Sequence, residues 1–119
     1  MTRVFVYGTL KRGGSNHHFL AGQAFLGEAR TAPGYILFSL GDYPGMVRRI
    51  GTEDHVLGEV WAVDGAVLAA LDELEGVGEG LYERVPVQLV APFAGQPVES
   101  YLYLRPIVGH PTLGSVWRL

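Results

Sequence analysis

The run Val4-Phe5-Val6-Tyr7 stops abruptly at Gly8, and this break constrains the chain more than any other feature. β-Branched and aromatic residues in unbroken succession read as a buried strand. Gly13-Gly14 releases the chain a second time, so the strand ends in a short loop, Gly8-Thr9-Leu10-Lys11-Arg12, at one end of a sheet. Several backbone N–H groups are exposed there. Glycine lets such a turn adopt φ > 0, or lets a ligand approach the main chain closely. Successive N–H groups of this kind bind a carboxylate or a developing oxyanion. A plain strand and turn accounts for these residues equally well, and the rest of the chain has to decide.

One competing motif is set aside first. Gly8 to Ser15 nearly spells the phosphate loop G-x-x-x-x-G-K-[ST]. Gly14 stands where the phosphate-binding lysine belongs, so the charge that chemistry needs is missing. This argues against binding of a nucleoside triphosphate.

The 119 residues fit one domain, 1–119, large enough for a single core. With 48% hydrophobic and 18% charged residues the chain is globular rather than disordered. A net charge of −3, with eight arginines and one lysine scattered along the chain, argues against nucleic-acid and membrane partners. Without cysteine there is neither a disulfide framework nor thiolate chemistry. The first strand begins within a few residues and leaves no room for a signal peptide, which makes cytoplasmic the expected location. Oligomeric state is not legible.

Ser15-Asn16 is expected to cap a short helix running to about Ala24. Its His17-His18 pair suggests a metal, but adjacent histidines diverge on a helix and no ligand spacing accompanies them. A surface or supporting role fits better, and no metal or cofactor is expected. Short strands follow, over Leu26–Thr31, Tyr35–Leu40, Met46–Arg49 and His55–Val63, with a turn at Asp42-Tyr43-Pro44-Gly45. Asp64 to Gly76 is the one long helix. Asp64 is its N-cap, Val67, Leu68, Leu71 and Leu74 form its apolar stripe, and Gly76 stands at C′. Glu83–Pro92 reads as a strand weakened by Pro86. Val98–Leu104 alternates, placing Tyr101 and Tyr103 on one face. The tail from Pro106 is irregular, with Trp117 as its anchor.

The helix end is where local rules are broken. Asp72, Glu73 and Glu75 crowd the last turn, each opposing the helix dipole at a cost of roughly 0.3–1 kcal/mol. Asp72 and Glu73 lie at or beyond the edge of the stripe and are expected to reach solvent. Glu75 follows Leu71 by four residues and Leu68 by seven, which puts its carboxylate on the apolar face. Burial there raises a carboxyl pKa and suits the group to general acid–base work near neutral pH. A structural pair with an arginine, Arg84 being nearby, is the competing reading.

Val4 to Gly13 followed by Asn16-His17 resembles the start of the γ-glutamyl cyclotransferase-like (AIG2-like) family, in particular its γ-glutamylamine cyclotransferase type. Leu71-Asp72-Glu73-Leu74-Glu75-Gly76 with Tyr82, and Ser100-Tyr101-Leu102, resemble that family's later motifs. Tyr43-Pro44-Gly45 resembles its proline-glycine turn. The likeness thins between Phe25 and His55 and in the tail. It implies a mixed α/β (α+β) fold, a small, mostly antiparallel β-barrel with one or two packed helices. It implies a γ-glutamyl substrate whose own α-amine closes on the γ-carbonyl, forming 5-oxoproline and releasing an amine without a cofactor. Glu75 would be the catalytic acid–base. The main chain of Tyr7, Gly8, Thr9 and Leu10 would hold the substrate, and Tyr82 and Tyr101 would wall the pocket. A non-catalytic module binding a small acidic metabolite is the alternative from another class. A repair enzyme for other γ-glutamyl adducts differs only in leaving group.

Overall fold

The structure is a computed structural model that describes residues 1–119. Its strands are β1 (Thr2–Val6), β2 (Ala24–Arg30), β3 (Tyr35–Ser39), β4 (Pro44–Arg48), β5 (Leu57–Val63), β6 (Tyr82–Pro86) and β7 (Glu99–Tyr103). One α-helix, α1 (Gly65–Leu74), follows β5. The strands form one seven-stranded mixed sheet in the order β2-β5-β1-β7-β4-β3, with β6 paired to β7. The fold is thus mixed α/β and mostly antiparallel, as expected. The sheet is not a closed barrel, however, because β2 and β3 remain as edges.

The unbroken apolar character of β1 has a simple cause. Its side chains alternate between two cores, one on each face of the sheet. Phe5 enters a cluster with Tyr7, Leu37, Met46 and Val60. Val4 and Val6 enter the other, with Trp61, Val63, Tyr82 and Tyr101, against which α1 lays Leu71, Val67, Leu68 and Leu74. The Asp64 side chain caps α1 by accepting the N–H of Val67 at 2.8 Å.

β7 determines where the site forms. It gives one edge to β6 along its whole length, from Tyr82↔Tyr103 to Pro86↔Glu99. A strand has only two edges, so β1 and β4 must share the other, both parallel to β7, at Val4↔Glu99 and Met46↔Leu102. The sheet forks there. The Tyr7 phenol fills the fork: its O–H donates to the Tyr101 carbonyl at 2.7 Å, and its oxygen accepts the Met46 N–H at 3.1 Å. Below the fork, Ser100 Oγ donates to the Phe5 carbonyl at 2.7 Å.

Three local expectations are corrected. The helix expected from Ser15 to Ala24 is only a 3-10 turn over His17–Leu20. Asn16 spends its side chain on Thr9 rather than capping, and Ala24 already pairs with Ala62 in the sheet. The strand expected to reach Pro92 ends at Pro86; Val87 N–H still donates to the Val98 carbonyl at 3.0 Å, and the chain then leaves β7 so that Leu89 bridges to Thr31. The turn before β4 lies two residues earlier, since Pro44 already pairs with Ser39.

Candidate active site

A cavity of about 340 Å³ opens where β1 ends at the fork. Tyr7, Gly8, Thr9 and Leu10 form one wall, Tyr82 and Tyr101 another, and Glu75 stands in the lining beside Leu74 and Leu81. Tyr7, Gly8, Thr9, Leu10, Glu75, Tyr82 and Tyr101, the residues that the resemblance implies for the site, all line it. Gly8 is needed for close approach rather than for a positive φ, because a Cβ on it would lie 2.7 Å from Pro44 Cγ. The start of β4, at Pro44, therefore packs directly on the loop.

The loop offers donors. None of the main-chain N–H groups of Tyr7, Gly8, Thr9 and Leu10 has a hydrogen-bond acceptor within the protein. Successive unpaired amides along a cavity wall favour an anionic or carbonyl oxygen. No lysine, arginine or histidine lines the cavity, and its acidic side chains are Asp42 and Glu75. An anion entering it would be held by amides rather than by a cation.

Glu75 is the C-cap of α1. Its N–H donates to the Leu71 carbonyl at 2.9 Å, and Gly76 then turns left-handed at φ 65 and accepts Leu81 N–H at 3.1 Å. The helix and this turn fix the carboxylate against the apolar end of the cavity. Desolvation by burial pushes its pKa up to about 7. The competing ion pair is not made. Arg84 binds Asp72 through Nε at 2.9 Å and a terminal nitrogen at 3.2 Å, and Glu99 at 2.7 Å. Asp72 therefore does not simply face water as expected, and it also accepts the Tyr101 O–H at 2.7 Å.

The hydroxyls of Tyr7, Tyr82 and Tyr101 are all engaged. Tyr82 donates to the Pro44 carbonyl at 2.7 Å, while Tyr7 and Tyr101 bond as described. Burial raises the pKa of each, and the Glu75 charge pushes all three further up. They are neutral walls that brace strands. Sequence reading missed Asp42 and Leu81 as lining residues and Asp72 as a brace. The Leu-Asp pair opening the helix-end motif was the available signal for Asp72. His17 and His18 join no group of three or more acidic or histidine side chains able to hold a metal.

A forked mixed sheet with one packed helix, an amide-lined loop and a half-buried glutamate defines a small-molecule site in a compact α+β class. The family model described as "Gamma-glutamyl cyclotransferase, AIG2-like" matches residues 4–118. The chain belongs to that family. A relative from Vibrio cholerae is 51% identical over 76 residues, an aligned stretch that spans 62% of each chain. The Escherichia coli family protein YtfP is 40% identical over 107 residues, covering 90% of this chain and 87% of its own. The crystal structure of a mouse AIG2-like protein superposes with a TM-score of 0.73 at 29% identity, covering 97% of this chain and 87% of that one. No helix is long and apolar enough to cross a membrane.

Proposed function

We propose that this chain is a cyclotransferase that converts a γ-glutamyl amine or γ-glutamyl amino acid into 5-oxoproline and a free amine. The observation that carries this reading is that an unpaired, half-buried glutamate lines the same cavity as a row of free amides. With a pKa of about 7, Glu75 exchanges a proton readily near neutrality. The ionised carboxylate takes a proton from the substrate's α-ammonium. The freed amine attacks the γ-carbonyl carbon, and its oxygen becomes a tetrahedral oxyanion. Glu75 then delivers its proton to the departing nitrogen as the oxyanion reverts to a carbonyl and the old C–N bond breaks. The ring nitrogen gives its second proton to the released amine, so that 5-oxoproline leaves with an ammonium product and Glu75 ends ionised.

Amides from Tyr7 to Leu10 hold the glutamyl carboxylate and steady the oxyanion. Since nucleophile and electrophile belong to one molecule, holding the folded-back conformer can supply about 7–11 kcal/mol. The absence of a basic side chain from the lining favours leaving groups without a carboxylate, that is, γ-glutamyl amines over γ-glutamyl amino acids. The test is a panel of both classes assayed for 5-oxoproline. The expected result is turnover of at least one compound, with the amines ahead. No 5-oxoproline from any member, alongside measurable binding of a small acid, would leave a binding module instead.

A further inference from the structure

The amides of the loop are useful only if their peptide planes are held, and the structure shows what holds them. In a trans peptide the C=O and the following N–H point in opposite directions. The carbonyls of Gly8, Thr9 and Leu10 are each tied to a donor. Lys11 N–H donates to Gly8 at 3.1 Å, Asn16 N–H donates to Thr9 at 3.0 Å, and His17 Nδ1 contacts the Leu10 carbonyl at 2.9 Å. A carbonyl only accepts, so Nδ1 carries the hydrogen. The imidazole is itself fixed edge-on to Trp61, with ring centroids 5.3 Å apart. Trp61 in turn donates its indole N–H to Glu59 at 3.1 Å, and the same Glu59 oxygen accepts the Arg12 N–H at 3.1 Å.

We infer that His17 is a positioning residue that sets the amide row through the Leu10 carbonyl. Fixing that carbonyl fixes the Leu10–Lys11 plane and directs Lys11 N–H onto Gly8. The Gly8–Thr9 plane follows, leaving Thr9 N–H turned to the cavity side. Asn16 does the same for the Leu10 N–H through the Thr9 carbonyl, and its Nδ2 holds Thr9 Oγ1 at 3.0 Å. His17 touches no reacting atom in this account. The inference rests on the cyclotransferase reading for its rate consequence, though not for its binding consequence.

The experiment compares His17→Phe, which keeps a ring beside Trp61 but has no donor, with His17→Asn, whose amide nitrogen can replace Nδ1. His17→Phe is expected to lose roughly tenfold to a hundredfold in kcat/KM, chiefly in kcat, while its melting temperature stays near wild type. His17→Asn is expected to recover most of that loss. Should phenylalanine not fit, His17→Leu against His17→Asn makes the same comparison at matched size. In parallel, 5-oxoproline is titrated into labelled protein and the Thr9 and Leu10 amide resonances are followed. In wild type and His17→Asn these should shift at similar concentrations, and in His17→Phe only at much higher ones. Equal behaviour of the Phe and Asn variants overturns the inference, as does a wild-type titration that moves neither amide. A wild type that binds 5-oxoproline but turns over no γ-glutamyl compound sinks the enzyme reading alone.

Discussion

Glu75 carries two opposed consequences of one burial. Its folded pKa of about 7 lies above the model-peptide value of 4.5. Below the lower value it is protonated in both states and adds no ionisation penalty. Between the two, the unfolded chain loses its proton first, so the folded state binds more protons and stability falls as pH rises. The loss is complete once pH is well above 7 and amounts to something on the order of 3 kcal/mol. Glu75→Gln never ionises, so it should melt above wild type at pH 8 and lose that advantage toward pH 4. The same titration sets activity: kcat/KM should climb with pH to a plateau, with its acid limb near 7, and a profile flat from pH 5 to 8 would speak against Glu75 as the base. Legibility at this scale was uneven. Glu75 was visible because helical spacing put a charge among leucines. Asp72 was not, because its partners Arg84 and Tyr101 arrive from β6 and β7, which helix periodicity does not report.

At the scale of elements, α1 is locked to the sheet by that Asp72 brace, whose side chains are about three-tenths exposed, 28% for Asp72 and 27% for Arg84. Asp72→Ala removes the bidentate pair and leaves the Tyr101 hydroxyl without its acceptor. A destabilisation of about 1–3 kcal/mol is expected by chemical denaturation, against a near-neutral Glu73→Gln on the exposed side of the same turn. Equal effects at the two positions would mean that the brace does not hold α1. Gly8→Ala tests the contact between the loop and the first residue of β4. Its Cβ would sit 2.7 Å from Pro44, so loop or proline must move. The expected cost is about 1–3 kcal/mol together with weakened substrate binding. The helix was readable end to end because Asp64 caps it and Gly76 turns left-handed after it. The short helix after Gly14 was misread because Asn16, an apt cap by type, serves Thr9 instead.

Across the whole molecule, the tail closes the core around Phe5. Leu113 and Trp117 pack on the Phe5 cluster, Ser115 accepts Leu57 N–H at 2.7 Å, and Trp117 accepts Lys11 Nζ at 2.8 Å. Trp117→Ala removes the ring that seats the tail, so it should lower the melting temperature and, by freeing the main-chain carbonyl that Lys11 holds, loosen the site loop and raise KM. A variant that melts lower with KM unchanged would separate the tail from the site. The fork of β1 and β4 on β7 could not be foreseen from alternation within single strands, since it depends on which strands share an edge. The residues that meet there were nevertheless marked, because the glycine break after β1 and the charged helix end are local signals. The central claim is that the chain closes a γ-glutamyl group on its own amine, with Glu75 moving the proton. The most direct measurement follows the products formed from a γ-glutamyl amine at pH 8 by wild type and by Glu75→Gln. The account predicts 5-oxoproline and amine in equal amounts from wild type, and nothing above background from the variant. Free glutamate in place of 5-oxoproline, or undiminished turnover by Glu75→Gln, would contradict it.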